Sequence, residues 1–179
     1  MRPSLRRPSL NIAFSALFTA LIAVSSFVSF PLPSGVPVTL QTLAVALTGY
    51  CLGVKRAVPS VLAYFLLGVA GVPVFSGFQG GVAVLMGKTG GFIFGFVFLA
   101  FACGAAGGLQ PMALKIAIGE IGLLLCHLLG VLWFSYLTKT SFFAGAAAVS
   151  LPFLLKDVLC VAGAMFLSLK LQKVIKKIL

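Results

Sequence analysis

The sequence predicts an all-α polytopic membrane protein, a six-transmembrane-helix bundle with both termini cytoplasmic. Three observations predict it. Of 179 residues, 61% are hydrophobic and 8% are charged, against about 45–50% and about 25% in soluble domains. Six apolar runs approach or reach the roughly 20 helical residues that cross a bilayer's hydrocarbon. The basic residues fall almost wholly on one side of those runs. A water-soluble fold is excluded, because a chain of this size leaves about 30% of its extended surface facing water. The composition likewise excludes a disordered chain and a disulfide-rich secreted scaffold.

Residues 1–179 are read as a single integral membrane domain. The spans are expected at 10–30, 40–54, 59–72, 90–107, 116–137 and 144–169, followed by a basic tail, 170–179. The first run exceeds the 7–15 apolar residues of a signal-peptide core and reads as a retained span. The second and third are short and barely cross at about 1.5 Å per residue. Pro59 is expected near the first turn of the third, where a missing N–H costs little. Pro152 lies inside the sixth.

With the N-terminus inside, Arg2, Arg6, Arg7, Lys55, Arg56, Lys115, Lys170, Lys173, Lys176 and Lys177 are cytoplasmic. Only Lys88 and Lys139 lie outside, and Lys156 belongs to the sixth span. This asymmetry sets the orientation and explains the formal charge of +11. The charge is a topology and anionic-lipid signal, so nucleic acid is not an expected partner. The expected location is the plasma (inner) membrane.

Two outer loops stand apart. The first, 31–41, carries prolines 31, 33 and 37, which stiffen it. The second, 73–91, is glycine-rich yet apolar. Backbone of this kind at membrane depth must be covered by protein or face a cavity, since lipid cannot satisfy it. Both loops are on the outer side, where a ligand pocket is therefore expected.

The ionisable residues within spans are Glu120, His127 and Asp157, with Lys156 beside the last. A charge at mid-bilayer costs about 2.5–3.5 kcal/mol on insertion scales, so each needs a partner or a purpose. Glu120 and His127 share a helix face, as a proton relay or as polar glue between helices. The second reading is favoured, because Glu120 falls within reach of Lys115. Asp157 sits level with the two outer loops, where a carboxylate accepts strong hydrogen bonds from ligand N–H groups. Pairing with Lys156 or Lys88 is the alternative use. Lys88, among glycines, is either a partner for an anionic ligand group or a solvated loop charge.

Enzymatic and metal chemistry find no support. The chain has one histidine, no H-E-x-x-H and no G-x-S-x-G. Gly87-Lys88-Thr89 is not a phosphate loop, because Val82 stands where that motif needs glycine. The four cysteines, 51, 103, 126 and 160, lie in apolar runs and read as small core residues. No cofactor is expected. Ala16 and Ala20 form a small-x-x-x-small pair that permits close helix approach.

Several segments together resemble the BioY family: residues 33–43 (PSGVPVTLQTL), 71–75 (GVPVF), Gly80-Gly81, 87–92 (GKTGGF) and Gly95-Phe96. These are the biotin-binding membrane subunits, or S components, of energy-coupling-factor transporters. The resemblance runs in order through the first hundred residues and more loosely beyond. It implies a six-helix bundle, a biotin site near the outer face, and uptake driven by a transmembrane coupling protein and a pair of cytoplasmic ATPases. It implies that Ala16 and Ala20 dock on the coupling protein. It carries site roles to Thr39 and Gln41 of the first outer loop, to Gln79 and to Asp157. Cys160 stands where the family usually has a lysine one turn after the aspartate, and Lys156 is adjacent instead. Lys88 replaces a usual proline.

The chemistry of biotin suits these positions. Its ureido N–H groups fit Asp157 and Gln79. Its apolar ring and tail fit Phe75, Phe78 and the close backbone of Gly80 and Gly81. Its carboxylate requires a cation, Lys88 or Lys156. An S component for another vitamin and a stand-alone facilitator are the competing readings.

Overall fold

The computed structural model describes residues 6–178, excepting the side chains of 6–8, 176 and 178. Arg2 of the basic N-terminal cluster lies outside the described residues, as do the side chains of Arg6, Arg7 and Lys176. The protein is an all-α polytopic bundle. Its helices are α1 (Arg6–Phe27), α2 (Gln41–Leu52), α3 (Val54–Val69), α4 (Val82–Met86), α5 (Gly90–Ala106), α6 (Met112–Thr138), α7 (Phe142–Val149) and α8 (Leu151–Ile178). A two-residue hairpin, β1 (Ser29–Phe30) and β2 (Val38–Thr39), follows α1. Three helices, α1, α6 and α8, are long and apolar enough to cross a membrane unaided, while α2 and α5 are shorter apolar helices.

The boundaries depart from the expected spans where proline and pairing intervene. The first helix stops at Phe27, because residues 29 and 30 leave it to pair with 39 and 38. The third begins at Val54, so Pro59 lies in its second turn rather than its first. Pro59 cannot donate to the carbonyl four residues back, and the helix continues around that omission. Near the C-terminus the expected single span is two helices, α7 and α8, separated at Ser150. Pro152 is the second residue of α8, where it starts a helix without breaking one. The basic tail continues α8 and is helical to Ile178.

Much apolar surface faces outward, including Leu17, Leu66, Leu128, Phe143 and Leu155. In a bilayer that surface meets acyl chains, so the inside-out reading of hydrophobicity used for soluble proteins does not hold. Helix association then depends on close packing more than on hydrophobic burial. The closest packing is between α5 and α6. A Cβ placed on Gly95 would lie 2.7 Å from the Cys126 Cα and 3.0 Å from its carbonyl oxygen. This approach seats Cys126, His127 and Phe92 on one side of the bundle interior. At the opposite end Tyr50 donates to the Lys115 carbonyl (3.1 Å), and Gln172 donates to the Tyr50 carbonyl (2.6 Å). These bonds tie α2, α6 and α8 together.

Gly95→Val forces α5 and α6 apart against backbone that cannot yield. It is expected to destabilise the purified protein by about 2 kcal/mol, as overpacking does, read as a lowered thermal unfolding midpoint in detergent. An unchanged midpoint would mean the two helices do not depend on this contact.

Candidate ligand-binding site

The first outer loop is held down at two levels. Its strands pair in antiparallel register, Ser29 with Thr39 and Phe30 with Val38. At its tip Gly35 donates to the Leu32 carbonyl (2.9 Å). Val36 then buries itself in an apolar cluster with Val131, Phe134, Val149 and Phe153. The stiffness expected of a proline-rich loop is thus joined to an anchoring side chain that links it to α6, α7 and α8.

Beneath this loop lies a narrow cleft, lined by Thr39, Gln41, Thr42, Tyr64, Phe75, Phe92, His127, Lys156 and Asp157 among others. Its open space is about 60 Å³, roughly the share of two waters. Most of the wall is aromatic or aliphatic, and its polar groups form two chains of hydrogen bonds.

One chain begins where β2 enters α2. The Thr39 hydroxyl donates to Gln41 Oε1 (3.2 Å) and accepts from the Gln41 backbone N–H (3.3 Å). The Gln41 amide donates to Tyr64 Oη (2.6 Å). Gln41 and Tyr64 are buried, so this pairing satisfies groups that would otherwise cost 1–3 kcal/mol each. The Tyr64 ring meets the Phe75 ring edge-on at 5.5 Å. Phe75 occupies space that Gly68 leaves open on α3, since a Cβ on Gly68 would strike that ring.

The other chain is charged. Asp157, 5% exposed, opens the inward face of α8. Lys156 Nζ lies 2.5 Å from its Oδ1, and His127 Nε2 lies 3.3 Å from its Oδ2. The second ring nitrogen of His127, Nδ1, is 2.9 Å from Ser150 Oγ. With the serine hydroxyl donating to Nδ1, the ring proton sits on Nε2 and points at the carboxylate. Lys156 also donates to the Thr39 carbonyl (2.6 Å). Its long stem brings the ammonium back from a neighbouring helix position, and one cation bridges the first outer loop to Asp157.

The structure therefore gathers Thr39, Gln41, Phe75, Lys156 and Asp157 around one cleft. The other sequence candidates fall outside it. Gln79, Gly80 and Lys88 line a separate outer groove. Phe78 is 67% exposed and stacks on Phe27 at 4.3 Å. Gly81 caps α4, and its N–H donates to the Gly68 carbonyl (2.7 Å). Lys88 reaches across the groove to the Ser34 carbonyl (3.3 Å). Phe75 is buried and Gln79 is exposed, although a backbone bridge pairs the two. Pro37, Ser76 and Thr89 line both cavity and groove, so the two adjoin.

Tyr64 and His127 are the residues that sequence reasoning missed. His127 stands out as the chain's one histidine, read as polar glue between helices, and its partners are Asp157 and Ser150. Glu120 forms no ion pair with Lys115 within 4 Å among the described residues, and its carboxylate oxygens are buried without a hydrogen-bond partner. Ala16 and Ala20 lie on the far side of α1, along a groove shared with α3.

A helical membrane bundle that encloses a small, largely apolar cleft beneath a pinned loop has the architecture of a membrane-embedded small-ligand binding protein. The comparisons with known proteins narrow this class. The model of the BioY family matches residues 1–177. The biotin transporter BioY of Thermotoga maritima is 38% identical over 161 residues, covering 89% of this chain and 94% of that one. A probable biotin transporter BioY of Pyrococcus horikoshii is 35% identical, covering 90% and 96%. The fold matches the crystal structure of the S component for biotin from an ECF-type ABC transporter, with TM-score 0.87 and 24% identity over 96% and 95% of the two chains. The chain belongs to the BioY family, and it is a multi-pass protein of the cell membrane rather than an enzyme.

Lys156→Met leaves Asp157 without its nearest cation. The loss expected is about 3 kcal/mol, the low end for a broken buried pair, because the Lys156 side chain keeps 28% exposure. The double variant Lys156→Met/Asp157→Leu should recover most of it, read by denaturant or thermal unfolding in detergent. A double variant whose loss equals the sum of the losses in Lys156→Met and Asp157→Leu would show that the pair is not coupled.

Proposed function

We propose that this chain is a biotin-capturing subunit, which takes the vitamin at the outer face for uptake. The energy comes from separate chains, a transmembrane coupling protein and a pair of ATPases, because this chain carries no nucleotide motif. Family membership and the named relatives support the ligand. The observation that carries the site is the Asp157 carboxylate, level with the first outer loop in a mostly apolar cleft.

In this reading six crossings are made by α1, α2, α3, α5, α6 and α8, with both termini cytoplasmic. The ureido N–H groups of biotin donate to Asp157, which Lys156 and His127 hold in place. Phe75, Phe92 and Phe153 pack against the apolar ring system. Lys156 is already committed to Asp157 and to the Thr39 carbonyl. The tail carboxylate therefore points outward, toward Lys88 in the adjoining groove. A bicyclic ligand needs several times the open volume of the cleft, so binding displaces wall segments, and Pro37 and Ser76 stand between cleft and groove. Ala16 and Ala20, exposed on α1, serve as the docking face for the coupling protein.

Calorimetric titration of the purified protein tests this directly. Biotin is expected to bind without ATP, and Asp157→Asn to weaken it at least about tenfold, or about 1.4 kcal/mol. Other vitamins should give no heat. Tighter binding of another vitamin would contradict the ligand, and wild-type affinity in Asp157→Asn would contradict the site.

A further inference from the structure

A groove between α1 and α3 encloses about 1340 Å³, far more than the cleft. Its α1 wall is a stripe of small residues, Ala16, Ala20 and Ala23, and its α3 wall includes Pro59, Ala63 and Leu66. Thr19, whose hydroxyl donates to the Ser60 carbonyl (2.9 Å), closes the floor. From Asn11 to Val24 the α1 stripe runs about 20 Å at 1.5 Å per residue. That exceeds half of the roughly 30 Å hydrocarbon core, enough for an acyl chain lying along it.

One end of the groove is polar in a particular way. Lys55 and Arg56 line it, and neither has an ion-pair partner among the described residues, whose ion pairs all converge on Asp157. The chain has two acids in all, Glu120 and Asp157. Asn11 Oδ1 lies at the same end, buried and without a donor. A pair of cations seeks an anion, and the amide oxygen beside them seeks an N–H or O–H. The apolar furrow continues from that point at acyl-chain length.

We propose that this groove is a binding site for an anionic phospholipid with a hydroxyl-bearing headgroup, of the phosphatidylglycerol type. The phosphate lies on Lys55 and Arg56, a headgroup hydroxyl donates to Asn11, and one acyl chain fills the furrow. Basic pockets between membrane helices select anionic headgroups by the same electrostatics. Free phosphate would leave the furrow unused, and a phosphatidylcholine headgroup offers neither net charge nor a hydroxyl. Because the groove contains Ala16 and Ala20, the lipid occupies the face proposed above for the coupling protein and is displaced when that protein docks.

Native mass spectrometry of the full chain, delipidated and then given equal amounts of phosphatidylglycerol and phosphatidylcholine with matched acyl chains, tests the proposal. Phosphatidylglycerol adducts should exceed phosphatidylcholine adducts at least tenfold. Lys55→Gln/Arg56→Gln should erase that preference while biotin affinity, measured on the same sample, is unchanged. Ala63→Trp should lower adducts of both lipids by filling the furrow, and Lys173→Gln on the exposed tail should change nothing. Equal binding of the two lipids by the wild type, as expected of a groove reserved for protein, would overturn the proposal. So would a preference that survives Lys55→Gln/Arg56→Gln.

Discussion

A carboxylate removed from water inside a membrane protein dictates what surrounds it. Asp157 is nearly inaccessible, and an unpartnered charge there would cost several kcal/mol. Lys156 and His127 meet that demand from different elements, and each is held in turn: Lys156 by the Thr39 carbonyl, His127 by Ser150. Compensating one charge therefore ties α8, α6 and the first outer loop into a single unit. The loop's position follows from the acid's solvation as much as from the prolines within it.

The same arrangement suits capture of a ligand. The carboxylate is held without being consumed, since an ion pair with lysine leaves lone pairs open to further donors. The remainder of the cleft wall is mostly apolar, and of its buried polar side chains Gln41 donates to Tyr64. A small nutrient with a few N–H groups and an oily body finds one fixed acceptor there and few competing polar contacts.

The bundle was legible in the sequence because hydrophobic run length and lysine placement are imposed by the bilayer itself. The loop anomalies were legible for the same reason, as glycine and proline at membrane depth require an explanation. Local pairing was not. Residues 28–30 continue the apolar run and do not mark where the first helix ends and a two-residue strand begins, and Pro152 inside an apolar run does not say on which side of it the helix breaks. The site divided along the same line. Motif and position singled out Thr39, Gln41, Phe75, Lys156 and Asp157, which line one cleft. Gln79, Gly80 and Lys88 belong to the same loop system but line the outer groove. Tyr64 carries no local signal in an apolar helix. His127 carried one as an ionisable residue within a span, but only tertiary packing reveals Asp157 as its partner.

The bridge from Lys156 to the Thr39 carbonyl is the point on which the account turns. Backbone amide hydrogen exchange across the first outer loop, compared between the wild type and Lys156→Met, measures it. At least tenfold faster exchange is expected at the amides of residues 38–40 in the variant, with α5 and α6 unaffected. Undiminished protection of that loop would contradict it.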